Sequence, residues 1–121
     1  MGEESIEPFI NNTKKGVYVL CRTSNRSSSF IQKDIFSKVI SMCKDLNSNN
    51  NIGFVVGATN HEAMEEVRSQ TDSFFLIPGI GAQGGDLKNV MQSNINYLDT
   101  TLINISRGII FAGNHDYQSI Q

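Results

Sequence analysis

Phe74-Phe75-Leu76-Ile77-Pro78-Gly79-Ile80-Gly81-Ala82-Gln83-Gly84-Gly85-Asp86 runs from an apolar stretch through a glycine-rich loop into the start of a helix. The apolar stretch, residues 74–77, is bounded by turn formers and predicts a buried strand. Residues 78–85 cannot continue it, because proline lacks a donor and the glycines favour turns. Asp86 opens a helix that continues through Val90, Met91 and Ile95, its carboxylate sitting favourably at the positive end. Strand, loop and helix in that order make one unit of a parallel α/β sheet.

The same unit recurs on both sides. Upstream, Ile52-Gly53-Phe54-Val55-Val56-Gly57 predicts another strand. Thr59 and Glu62 then offer a capping box for a helix through Ala63, Met64, Val67 and Gln70. His61, in its first turn, reads as an exposed helix residue with no neighbour to orient it as a base. Further back, Gly16-Val17-Tyr18-Val19-Leu20-Cys21 predicts a strand buried on both faces, and residues 22–29 a polar, serine-rich loop. From Phe30 the period turns helical, with Phe36, Val39, Ile40, Cys43 and Leu46 on one face, which assigns Cys43 to the core. Residues 47–51 are a solvated turn.

The chain opens with Glu3, Glu4, Ser5, Ile6, Phe9 and Ile10, which read as the tail of an amphipathic helix and suggest a part upstream. Downstream, Thr101-Leu102-Ile103-Asn104-Ile105 predicts a fourth strand, and Ser106-Arg107-Gly108 turns out of it. Residues 109–112 are a short apolar segment, and Tyr117 begins a further helix. Strands and helices therefore alternate, with four strands in 121 residues. A (β/α)8 TIM barrel takes about 250 residues for its eight strands, so the count and pace predict about half of one, four strand–helix units truncated at both ends.

Composition narrows the function. Net charge is −2 with no basic stripe, which argues against nucleic acid. No apolar run approaches the length of a membrane span, and no secretory signal opens the chain. Cys21 and Cys43 lack metal-ligand neighbours at useful spacing and make a poor disulfide framework, which points to a reducing, cytoplasmic setting. With His61 and His115 as its imidazoles, the chain suggests no metal site.

The loop Gly79-Ile80-Gly81-Ala82-Gln83-Gly84 satisfies G-x-G-x-x-G, and Asp99 lies at the spacing of a ribose-binding acid. Against a dinucleotide site, the motif follows the third strand rather than opening the domain, and one further strand follows. Asp99 also precedes the next strand instead of ending it. A phosphate site fits better. Glycines let main-chain N–H groups approach an anion, Gln83 adds a neutral donor, and Arg107 at the next strand end offers a fork of donors. Phosphate sites of (β/α)8 barrels lie after the last two strands.

Residues 77–86, Ile77-Pro78-Gly79-Ile80-Gly81-Ala82-Gln83-Gly84-Gly85-Asp86, resemble the phosphate-loop signature of the orotidine 5′-monophosphate decarboxylases. Val19-Leu20-Cys21-Arg22-Thr23-Ser24-Asn25 resembles the end of that family's fifth strand. Residues 53–59 are similar to its sixth, and Asn104-Ile105-Ser106-Arg107 to the end of its eighth. The resemblance implies the C-terminal half of the barrel over residues 1–121 and decarboxylation of orotidine 5′-phosphate to UMP without a cofactor. It also implies a small-molecule substrate and a homodimer in the full-length protein. It assigns Gln83, Ser106 and Arg107 to the substrate phosphate, and Thr23, Ser24 and Pro78 to the pocket around the base. Two departures stand out: Arg26-Ser27-Ser28 where many relatives have proline and glycine, and Ser106 where many have glycine. The family's lysine–aspartate array, D-x-K-x-x-D, is absent, so no catalytic residue is assigned and the isolated chain is expected to be inactive. The alternatives are a nucleotide-phosphate-binding half-barrel without turnover, pairing with itself or with a separate half, and another phosphate-binding TIM-barrel enzyme.

Overall fold

The computed structural model describes residues 2–81 and 83–112, save the side chain of Arg26. The helix expected from Tyr117, and His115, lie outside the described residues. A 3-10 turn and the short α1 (Glu7–Ile10) lead into β1 (Val17–Arg22), followed by α2 (Ser29–Leu46), β2 (Ile52–Val56) and α3 (His61–Arg68). Then come β3 (Phe75–Pro78), α4 (Leu87–Ser93), a 3-10 segment (Ile95–Thr100), β4 (Thr101–Asn104) and α5 (Arg107–Ile110). The strands form one sheet in sequence order, each pair parallel.

The core lies between one face of the sheet and the helices. Cys21, Ile52, Phe54, Val56, Phe75 and Ile77 meet Phe36, Ile40 and Cys43 of α2, Met64 and Val67 of α3, and Val90 of α4. Cys43 is in the core as expected. Burial pushes the Cys21 thiol up to about 12, with Arg22 opposing and Cys43 adding a little, and burial pushes Cys43 to about 11.

The other face of the sheet is open, so β1 is not buried on both faces. Tyr18 is 40% exposed and Leu20 57%. The pairing aligns Leu20 with Val55, Val55 with Leu76 and Leu76 with Leu102, which lays an apolar row straight across this face. A parallel strand is fully buried only where layers cover both faces, and here helices cover one.

Four local expectations change. Residue 22 is no loop residue: β1 bulges between Leu20 and Arg22, and Arg22 pairs with Val56 and is buried. Phe74 lies outside β3 and is exposed. The cap of α3 is Asn60, whose Oδ1 accepts from Ala63 N–H at 2.9 Å, whereas Thr59 Oγ1 donates elsewhere. Asp86 does cap α4, accepting from Asn89 N–H at 3.1 Å, but α4 ends at Ser93 and Ile95 stands exposed beyond it.

Behind β3, the Arg68 guanidinium lies 3.4 Å from the Phe75 ring centroid and 4.4 Å from that of Tyr97. It donates to Asn94 Oδ1 through Nη2 (2.8 Å) and Nε (3.2 Å), and to the Ser73 carbonyl through Nη1 (3.0 Å). The buried Asn94 amide donates in turn to the Val90 carbonyl at 2.8 Å. This cluster fixes the entry to β3 against α3 and the end of α4.

Candidate functional site

Because all four strands are parallel, the loops after them gather at one rim. The loop after β1 is held from two sides. Thr23 N–H donates to Gln32 Oε1 at 2.8 Å, and the Thr23 hydroxyl is engaged with Asn25 Oδ1 (2.5 Å) and Gln32 Oε1 (3.1 Å). The Ser24 carbonyl accepts from Thr59 Oγ1 at 2.7 Å. Gly57 permits this approach: a Cβ there would lie 2.5 Å from Ser24 N. Ser24 Oγ donates to Gln83 Oε1 and so ties the first loop to the third.

The glycine loop after β3 folds on itself. Gly79 takes φ +105°, a conformation glycine adopts freely, and its carbonyl accepts from Gly85 N–H at 3.0 Å. Gly81 N–H donates to the Gly85 carbonyl at 3.0 Å, and Gly84 N–H to that of Gly81 at 2.7 Å. These three N–H groups therefore shape the loop itself. Ser106 and Arg107 stand exposed at the start of α5, one strand further on. Pro78, Gly79, Ile80, Gln83, Asn104, Ser106 and Arg107 line a recess of 120 Å³. Gln83 also lines a neighbouring polar cleft of 570 Å³ with Thr23, Ser24, Thr59 and Asn60.

The expected site residues thus fall into two connected places. Gln83, Ser106, Arg107 and Pro78 share the recess. Ser24 and Thr23 lie across Gln83, with the Thr23 hydroxyl turned toward α2. The sequence pattern gave no site role to Gln32 or Gly57 and cast Thr59 as a helix cap, yet all three hold the Ser24 loop; nor did it single out Asn104, which lines the recess. The register could have indicated Asn104, since it pairs with Pro78; the contacts of Gln32 and Thr59 depend on loop packing that no local pattern encodes. Chemically, a guanidinium beside side-chain amides suits the oxygens of an anion. His61 is exposed, as expected. Ser93 Oγ lies 3.2 Å from its Nδ1 and 3.1 Å from its Nε2, hence over the ring instead of along either lone pair. With Glu65 at 3.4 Å this is no aligned proton relay. Among the described residues, no three His, Cys, Asp or Glu side chains converge as metal ligands.

A parallel sheet with helices on one face and a polar recess at its carboxyl rim defines a barrel-type α/β protein, whose sites occupy that rim. The family profile described as "Orotidine 5'-phosphate decarboxylase / HUMPS family" matches residues 1–119, and the chain belongs to that family. The orotidine 5'-phosphate decarboxylase of Natronomonas pharaonis is 42% identical over 120 residues, covering 93% of this chain and 44% of that relative. That of Dehalococcoides mccartyi is 41% identical over 124 residues, covering 93% of this chain and 46% of that relative. Among solved structures, Leishmania donovani UMP synthase superposes with a TM-score of 0.81 at 37% identity, over 98% of this chain and 29% of that one. The chain spans under half the length of the curated relatives it matches.

Proposed function

We propose that this chain is the C-terminal half of an orotidine 5′-phosphate decarboxylase barrel and carries the grip on the substrate's phosphate and base. One observation supports this above the others: Ser106 and Arg107 after β4 and Gln83 after β3 share one recess, and Ser24 is hydrogen-bonded to Gln83. In this reading Arg107 clamps the 5′-phosphate with a fork of donors, beside the Ser106 main chain, and Gln83 closes over it. Ser24 reads the pyrimidine edge, Thr23 sits beside it, and Pro78 lines the pocket. The Ser24–Gln83 bond links the two ends of the nucleotide, so gripping the phosphate also sets the base-reading loop. Phosphate binding energy then orders the site around a distant reacting centre. The full-length protein converts orotidine 5′-phosphate to UMP and carbon dioxide without a cofactor, as a cytoplasmic homodimer.

The reacting centre itself is not in this sequence, which contains no D-x-K-x-x-D. The isolated chain should bind without turnover. The assay is loss of the orotate chromophore when purified chain is mixed with orotidine 5′-phosphate. The expected result is no loss above the uncatalysed rate; measurable decarboxylation would contradict the division of labour.

A further inference from the structure

Arg22 is the unexplained cation of this fold. It is 4% exposed, and among the described residues neither Nε nor Nη1 has a hydrogen-bond partner. Its guanidinium carbon stands 5.4 Å from the Phe36 ring centroid, a contact that gives Nε and Nη1 no acceptor. A buried cation is costly unless it meets an anion or acceptors. Among the described residues no carboxylate pairs with it: the residues flanking Arg22 are Cys21 and Thr23, and the facing turns of α2 bring Gln32, already bonded to Thr23, and Phe36.

The surroundings indicate where an anion would come from. β1 is the end strand of the sheet, so its outer edge carries no partner strand among the described residues. Beside that edge runs an apolar groove between β1 and α2. It is lined by Ile6, Val19, Leu20, Ile35, Val39 and Met42, and reaches Cys21 and Gln32 next to Arg22. An unpaired strand edge beside an apolar groove is a template for another strand. A second copy would bring its own free edge, β4. The carboxyl end of β4 continues Asn104-Ile105-Ser106-Arg107, which offers no acid and adds a like charge.

We propose that the groove beside β1 seats a parallel strand from the half of the family barrel that this chain does not span, and that this strand presents a carboxylate at its carboxyl end to Arg22. Arg22 is thus an electrostatic latch between the two halves. The proposal rests on the family assignment and makes no use of the nucleotide site, so either can fail alone.

Two measurements test it. Arg22→Met keeps the stem over Phe36 and removes the charge. In the 121-residue chain alone it should raise the thermal midpoint, because no acceptor among the described residues meets Nε or Nη1. The probe for the second measurement is the complementary half of a relative, purified separately and titrated into the chain. The wild type should bind it, and Arg22→Met should bind at least tenfold more weakly, because the partner's carboxylate then lacks its cation. A lowered midpoint, or loss of folding, in Arg22→Met would show that Arg22 is satisfied within the chain and would overturn the proposal. Equal affinities, or no association of the wild type, would overturn it as well.

Discussion

Arg68 and Arg107 place the same side chain in opposite settings. Arg68 is enclosed between two rings and spends its donors on Asn94 and Ser73; burial lowers its pKa to about 10, opposed by Tyr97 and Asp72. Removing it strands the Asn94 and Ser73 oxygens in a dry place, at about 1–3 kcal/mol for each buried acceptor left unpaired. Arg68→Ala is therefore expected to lower unfolding free energy by about 3 kcal/mol or more, read from the urea midpoint at constant slope. Arg107 is exposed and makes no ion pair among the described residues. Arg107→Ala should leave that midpoint within about 0.5 kcal/mol. The motifs around Gln83 and Arg107 put both at neighbouring strand ends, and both line one recess. Arg68 and Arg22 were not legible in the sequence, because their burial follows from how α3 meets β3 and from a bulge in β1, and neither leaves a periodic trace.

At the scale of elements, apolar runs and glycine punctuation located all four strands, since buried parallel strands write themselves as such runs. Caps and ends were less legible. Thr59 and Asn60 are adjacent and both suit an N-cap. Tertiary contact decides between them, because Thr59 is occupied with the Ser24 carbonyl. Asn60→Ala should cost about 1 kcal/mol of stability, whereas Thr59→Ala should leave the cap bond of α3 intact, as amide exchange at Ala63 would report. The contact of α2 with β1 makes a second prediction. The Cys21 and Cys43 thiols titrate at about 12 and about 11 in the fold, against 9.0 ordinarily. A raised thiol pKa adds stability that is intact below pH 9, where the unfolded chain also keeps its protons, and is lost as pH rises toward 11–12. Unfolding free energy should therefore fall across that alkaline window, and a Cys21→Ala/Cys43→Ala variant should flatten the fall.

For the whole molecule, the four-strand count and the pace of the units located half a barrel. The sequence did not show that one face would stand open, because a buried parallel strand and a strand lining an unfilled interior share the same apolar run. Leu20, Val55, Leu76 and Leu102 form that row, and closing a barrel would bury it. An apolar dye should bind the native chain and be displaced when the complementary half is added. The recess has its lining within the described residues, since Gln83, Ser106 and Arg107 all belong to this chain. The most direct measurement is calorimetric titration of the chain with UMP and with uridine, repeated on Arg107→Ala. UMP should bind, uridine should bind at least tenfold more weakly, and Arg107→Ala should remove the difference. Equal binding of UMP and uridine, undiminished UMP binding in Arg107→Ala, or no binding of UMP would contradict the claim that this chain carries the phosphate grip.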